Sequence, residues 1–225
     1  TIPHLFYYNA FLILSNGTEA KVGTLGSKYE FFHEWKRLSE QEQGSVALET
    51  MLRGICKKEN FLDLLGNFVL FDHSGGHTAK ILARNHQYLG VNEAVKAYET
   101  RKLNNGKLGV FWHTQGSGKS YSMVFLAQKI RRKFSGSPTI VILTDRDELN
   151  TQISDTFENC GILGKAKASQ FIASSGGDLI EKLKGNPSFI FTLIQKFNKT
   201  DVEPIYPDHD IIIMSDEAHR SQYGI

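Results

Sequence analysis

Apolar and β-prone residues run from Tyr7 to Leu14, break at Asn16-Gly17 and resume from Glu19 to Leu25, which predicts a hairpin with its turn at Asn16-Gly17. Ser27 and Glu30 then spell S-x-x-E ahead of Phe31, Phe32, Trp35 and Leu38, so a capped helix is expected there. A second helical pattern runs from Ser45 to about Lys57, and a short third one ends near Gly66. The periodicity lapses between Asp72 and His77, where Ser74-Gly75-Gly76 has linker composition. A domain boundary is placed there, giving segments 1–75 and 76–225.

The pattern changes after Lys80. A polar helix over Asn85 to Lys102 leads to a short apolar strand, Leu108 to Trp112. A glycine-rich turn and a helix from Lys119 to about Phe134 follow. Thr139 to Leu143 is a β-branched strand, and Asp147 to Asn159 an amphipathic helix closed by Gly161. Phe189 to Leu193 and Asp210 to Met214 are further apolar strands. Short apolar strands alternating with helices predict an α/β fold with a parallel sheet covered on both faces. Lys129, Arg131, Arg132 and Lys133 fall in the last turns of the helix after the glycine-rich turn, where cations on a solvated face complement the helix dipole.

Composition narrows the partners. With 26 Lys plus Arg against 24 Asp plus Glu, the net charge is +2, so the chain is no polybasic binder and any nucleic-acid contact must come from local placement of charge. Hydrophobic residues make up 40%, which excludes a disordered chain. No apolar run approaches the ~20 residues of a membrane span, and no signal pattern opens the sequence, so a cytoplasmic setting is expected. Two cysteines, Cys56 and Cys160, make neither a disulfide framework nor a zinc site. Asp72, His73 and His77 lie in the glycine-rich segment without a fourth ligand.

The chemistry concentrates in two places. His113-Thr114-Gln115-Gly116-Ser117-Gly118-Lys119-Ser120 lies between a predicted strand and a helix. Glycines there let the backbone wrap phosphate oxygens, and the free N–H groups at the helix start favour a polyanion. Lys119 is placed to reach the β- and γ-phosphates of ATP, and the Ser120 hydroxyl to ligate Mg²⁺. His113 stands where the general phosphate-loop signature has its first glycine. The second place is Ile211-Ile212-Ile213-Met214-Ser215 followed by Asp216-Glu217-Ala218-His219. An acidic pair at the C-terminal end of a buried strand faces the crevice where open α/β sheets bind ligands. Asp216 suits Mg²⁺ coordination and Glu217 suits polarising the attacking water.

The run Asp216-Glu217-Ala218-His219-Arg220-Ser221-Gln222-Tyr223-Gly224 resembles motif II of the restriction subunit of type I restriction–modification enzymes, which are superfamily 2 helicase-like motors. Trp112 to Ser120 resembles the same family's motif I, where a histidine at the first position is normal. Arg84-Asn85-His86-Gln87 looks like the R-x-x-Q element upstream, and the resemblance implies that Gln87 hydrogen-bonds the adenine edge. Thr144-Asp145-Arg146 with Leu149 and Gln152 is similar to motif Ia, and Thr192-Leu193-Ile194-Gln195-Lys196-Phe197 to the T-I-Q-K-F element; both lie on the DNA side in relatives. Phe6-Tyr7-Tyr8-Asn9 and Ser15-Asn16-Gly17 look like the stretch that follows that family's nuclease motifs.

The resemblance implies a RecA-like lobe, here incomplete, over 76–225, preceded by the C-terminal part of an α/β nuclease domain and linker over 1–75. It implies an ATP-dependent double-stranded DNA translocase and endonuclease subunit with Mg²⁺, acting with modification and specificity subunits. The nuclease carboxylates are expected outside this segment, which looks like an internal section of a longer subunit. Glu34-Trp35-Lys36 spells E-x-K, but no aspartate precedes it and the expected setting is a helix. The rivals are another superfamily 2 enzyme, of type III restriction or repair, and a nucleotide-binding scaffold that does not turn over.

Overall fold

The computed structural model describes residues 2–112, 114, 116–197 and 209–216. They form two compact units, residues 1–129 and 130–225.

In the first unit, β1 (Leu12–Ser15) and β2 (Ala20–Gly23) make the expected antiparallel hairpin, with Leu12 opposite Gly23 and Ser15 opposite Ala20. Asn16 builds the turn: its Oδ1 accepts from the Thr18 and Glu19 N–H groups, and Gly17 takes φ +97°. The helix expected after Ser27 is not formed. Only a 3-10 turn at Tyr29–Phe31 appears, and His33 then bridges Val22 through two backbone hydrogen bonds of 2.8 and 2.9 Å. The apolar spacing there serves two different sides. Phe31 is exposed, whereas Trp35 is fully buried over Gly54, at which a β-carbon would overlap the indole. Glu34-Trp35-Lys36 is therefore irregular rather than helical, and Glu34 pairs with Lys36 at 2.9 Å.

Two short helices follow, α1 (Leu48–Ile55) and α2 (Lys58–Asn67), then β3 (Val69–Asp72) and β4 (Ala79–Leu82). These strands pair antiparallel, so the glycine-rich segment expected as a linker is a hairpin turn. Gly75 and Gly76 supply its positive φ, and Asp72 Oδ1 accepts the Ser74 N–H at 2.7 Å. The unit ends with α3 (Asn85–Glu99) and the first part of α4 (Lys119–Lys133), within which the two units divide. An aromatic file runs through the core: Trp35 to Tyr88 at 5.3 Å, Tyr88 to Phe68 at 4.8 Å, Phe68 to Phe125 at 5.6 Å between ring centroids.

The basic cluster of α4 is not uniformly solvated. Arg131, Arg132 and Lys133 are exposed, but Lys129 is buried. Its Nζ donates to both Asp63 carboxylate oxygens and to Asn92 Oδ1 at 2.5–2.6 Å, and lies 4.9 Å above the Phe68 ring. Helix α4 faces the core at that turn, so a solvated lysine would have required a different helix rotation. The strand expected over Leu108 to Trp112 is also absent. Val110 and Trp112 are 91% and 88% exposed, and the segment is anchored by Phe111, whose ring occupies the place a Gly90 side chain would take.

The second unit is built on a parallel sheet ordered β6-β5-β7, from β5 (Thr139–Thr144), β6 (Phe189–Leu193) and β7 (Ile211–Ser215). Between the first two strands lie α5 (Asp147–Asn159) and α6 (Gly176–Lys184). Alternation along β6 sorts them. Phe157 of α5 meets Phe189 and Phe191 edge-on, while Leu179 of α6 packs with Val141 and Ile190 on the opposite face. The α/β class with helices on both faces of a parallel sheet is thus observed, with one difference. On β7, Ile211 and Ile213 remain 40% and 56% exposed, because α6 covers β5 and β6 but does not reach them.

Candidate nucleotide-binding site

Residues 114 and 116–120 belong to the glycine-rich turn that opens α4. Ser117 is tied back to Thr114, its N–H and Oγ donating to the Thr114 carbonyl at 3.2 and 2.6 Å. Gly116 and Gly118 take φ +74° and +90°, conformations that L side chains rarely adopt. Gly118 has a second reason to lack a side chain, since a β-carbon would lie 2.9 Å from Gln87 Nε2. Lys119 and Ser120 begin the helix and are partly exposed. A turn of this kind presents its backbone and a helix N-terminus with no side chain in the way, which fits a polyphosphate. His113 and Gln115 lie outside the described residues.

Helix α3 holds this turn from behind. His86 Nε2 donates to the Ser117 carbonyl at 3.2 Å, and Gln87 Nε2 to the Gly118 carbonyl at 2.9 Å. Burial, with Arg84 nearby, lowers the pKa of His86 against the opposing pull of its bond to the Ser117 carbonyl, in which Nε2–H is the donor. Gln87 Oε1 closes the helix start by accepting the Arg84 N–H at 2.8 Å, while the rest of Arg84 is exposed. The Gln87 amide, nearly fully buried, is therefore directed at the loop backbone. The β3–β4 turn holds the loop from another side. The Tyr121 hydroxyl, in the first turn of α4, donates to Asp72 Oδ2. Burial pushes the Asp72 carboxyl up, but the Tyr121 hydroxyl and Ser74 N–H outweigh it and keep the group below the usual carboxylate range.

In the second unit, Asp216 stands at the C-terminal end of β7, 5% exposed, with its N–H donating to the Leu143 carbonyl at 2.8 Å. Glu217 and residues 218–225 lie outside the described residues. At the C-terminal end of β5, Thr144 is buried, while Arg146 is exposed and pairs with Asp145 at 3.5 Å. Gln195 is exposed and donates to the Asp145 carbonyl at 3.2 Å, which joins the residues after β6 to those after β5. Gln152 is on the exposed side of α5. Lys196 Nζ is bonded to the Ala173 carbonyl at 2.6 Å, and Thr192 is fully buried within the sheet.

Asn85, His86 and the Asp72–Tyr121 pair were not singled out for a role at the phosphate turn. For His86 and the Asp72–Tyr121 pair the signal is three-dimensional, since residues 31 or 49 positions apart meet at the turn only after folding; Asn85 instead reaches the backbone of Lys36 and Arg37. The tetrapeptide Arg84-Asn85-His86-Gln87 did mark the right helix start.

Among known proteins, the chain is similar to the type I restriction enzyme HindI endonuclease subunit of Haemophilus influenzae, 40% identical over 99% of this chain and 22% of that relative. The putative type I restriction enzyme MjaIXP endonuclease subunit of Methanocaldococcus jannaschii is 32% identical over 99% of this chain and 23% of its own length. A type I restriction enzyme endonuclease subunit of Staphylococcus saprophyticus is 25% identical over 98% of this chain and 23% of that protein. The chain thus spans about a fifth of the length of the curated relatives it matches. The SWI2/SNF2 ATPase family model matches residues 86–225, from the α3 clamp through the acidic pair. With more than half its length under that match, and a glycine-rich turn and an acidic strand end falling inside it, the chain belongs to the SWI2/SNF2 ATPases.

Proposed function

We propose that this chain is the ATP-binding half of the motor in a type I restriction endonuclease subunit, in which hydrolysis drives double-stranded DNA past the complex and leads to cleavage elsewhere. Modification and specificity subunits are the partners that this reading requires. The observation that carries it is the glycine-rich turn of 114–120 opening α4 within a matched ATPase family. Residues 1–75 would be the end of the nuclease domain and 76–225 the first motor lobe; the family match begins at residue 86, while the compact unit that contains the β3–β4 hairpin runs on to residue 129.

The roles follow from chemistry. Backbone N–H groups of residues 116–120 cradle the phosphates, and Lys119 neutralises charge on the β- and γ-phosphates. Ser120 and Asp216 each carry an oxygen donor of the kind that would hold Mg²⁺, which when bound would supply positive charge to the phosphates. Glu217 orients the attacking water. Gln87 serves the nucleotide through the loop it supports, with its second amide hydrogen the one to offer an adenine edge. Arg146, Gln152 and Gln195 supply the polar DNA side, Lys196 and Thr192 supporting it from within.

Lys119→Ala, measured in a full-length subunit carrying this chain, is expected to abolish DNA-stimulated ATP hydrolysis with the fold intact. Turnover within tenfold of the unsubstituted enzyme overturns the reading. Glu217→Gln is expected to stop hydrolysis while MgATP still binds, because the proposed metal ligands are untouched. Loss of binding in that variant would refute the division of roles.

A further inference from the structure

The first turn of α3 has two working sides. On one, the Asn85 amide, almost fully buried, grips an irregular segment 48 and 49 residues earlier in the chain. Its Oδ1 accepts the Lys36 and Arg37 N–H groups at 3.1 and 3.0 Å, and its Nδ2 donates to the Arg37 carbonyl at 2.9 Å. A single side chain thereby does what a neighbouring strand would do for that backbone. Trp35, just before the gripped residues, packs on Tyr88 of the same helical turn. On the other side, the next two residues, His86 and Gln87, hold the carbonyls of Ser117 and Gly118.

Those carbonyls matter because a trans peptide carries its C=O and N–H antiparallel. Fixing the Ser117 carbonyl toward α3 aims the Gly118 N–H the opposite way, and fixing the Gly118 carbonyl does the same for the Lys119 N–H. Both are donors of the phosphate turn. Residues 85–87 sit on one hydrogen-bonded helical turn, the Tyr88 N–H closing onto the Arg84 carbonyl at 2.9 Å, so they move together. Phe111 against Gly90 holds the run-in to the turn on that helix as well.

We propose that Asn85 is a positioning residue for ATP binding: it makes the aim of the phosphate-turn amides depend on the seating of residues 33–37, and so couples the region before α1 to the nucleotide site. The proposal rests on the phosphate-turn reading above. Occupancy of the nucleotide site and the seating of residues 36–37 then favour each other by the same factor.

The test is a double-mutant cycle in a full-length subunit carrying this chain, with MgATP as the probe. Asn85→Ala and His86→Ala are each expected to raise Kd and KM for MgATP about five- to tenfold, the scale of one or two lost hydrogen bonds, with kcat changed less. The double variant is expected to show no more than the larger single effect, because both break one relay. Asn85→Asp keeps the two acceptor bonds and is expected to recover most of the affinity. Additive effects, or an Asn85→Ala variant that melts earlier with unchanged MgATP affinity, would overturn the relay. Lys119→Ala separates the two readings: a variant that still binds MgATP normally refutes the phosphate turn itself, whereas lost binding there with additive Asn85 and His86 effects refutes only the coupling.

Discussion

The two units hold their functional backbone in different ways. In the second, Asp216 is placed by a ladder: β7 pairs with β5 from Thr139–Ile211 to Leu143–Ser215, and the Asp216 N–H adds one more rung. Apolar side chains on alternating faces keep that ladder in register, with Phe157, Phe189 and Phe191 on one side. In the first, the glycine-rich turn has no ladder among the described residues. It is held by single polar side chains reaching backbone groups or one another, from His86, Gln87 and Asp72, and α4 behind it is fixed by the buried Lys129–Asp63 pair. A loop held by discrete bonds can be retuned one bond at a time, whereas a ladder fails as a block.

That contrast can be broken by experiment. Phe157→Ala should cost the second unit about 3–5 kcal/mol in urea unfolding, since it opens a cavity against two phenylalanines. Asp63→Ala should cost the first about 3 kcal/mol, because it strands the Lys129 ammonium, 8% exposed at its side chain. Lys129→Met should cost much less, as the stem stays packed over Phe68 and the partly exposed carboxylate keeps some water. Equal losses for those two variants would mean that the pair matters for packing alone.

A smaller effect is electrostatic. Both ring nitrogens of His33 are buried without a hydrogen-bond partner among the described residues, and burial, aided by Arg84, lowers its pKa from 6.5 to about 4. Between those values the unfolded chain binds more protons than the folded one. Stability is therefore complete above pH 6.5 and declines as pH falls toward 4, by up to ~1.4 kcal/mol per pH unit. His33→Gln should flatten the decline between pH 7 and 5, with His86, shifted the same way, leaving a residual slope. An unchanged slope would mean that His33 is not the group responsible. Smallest is Tyr121→Phe, expected to cost about 1 kcal/mol by removing one donor from Asp72. A neutral result would mean that this bond does not hold the α4 start.

The same contrast explains what could be read from the pattern of residues. Helix α5 begins at Asp147 and ends at Asn159 as the periodicity predicts, and β6 spans Phe189–Leu193 as expected, because both faces of that sheet bury apolar side chains in strict alternation. The hairpin at Asn16-Gly17 was equally legible, its turn residues carrying local chemistry. Phe31, Phe32, Trp35 and Leu38 misled, because tertiary contacts with Gly23 and Gly54 override the helical spacing. Leu108 to Trp112 misled for the opposite reason, being apolar yet largely exposed. At the candidate site, the glycine-rich turn opening a helix, with positive φ at Gly116 and Gly118, was legible from residue type and spacing. The polar contacts that hold them from behind were not, since nothing in a linear pattern pairs His86 with Ser117 or Asp72 with Tyr121.

Only two tryptophans are present, and they report on different things. Trp35 is sealed beside the residues that Asn85 grips, and Trp112, 88% exposed, is four residues before Gly116. The chain thus carries two built-in fluorophores of opposite solvation. Emission open to acrylamide quenching is expected from Trp112, close to the glycine-rich turn, and blue, protected emission from Trp35, beside the residues that Asn85 grips. Within these 225 residues, the two indoles therefore mark separate places in the first unit, one sealed and one open to solvent.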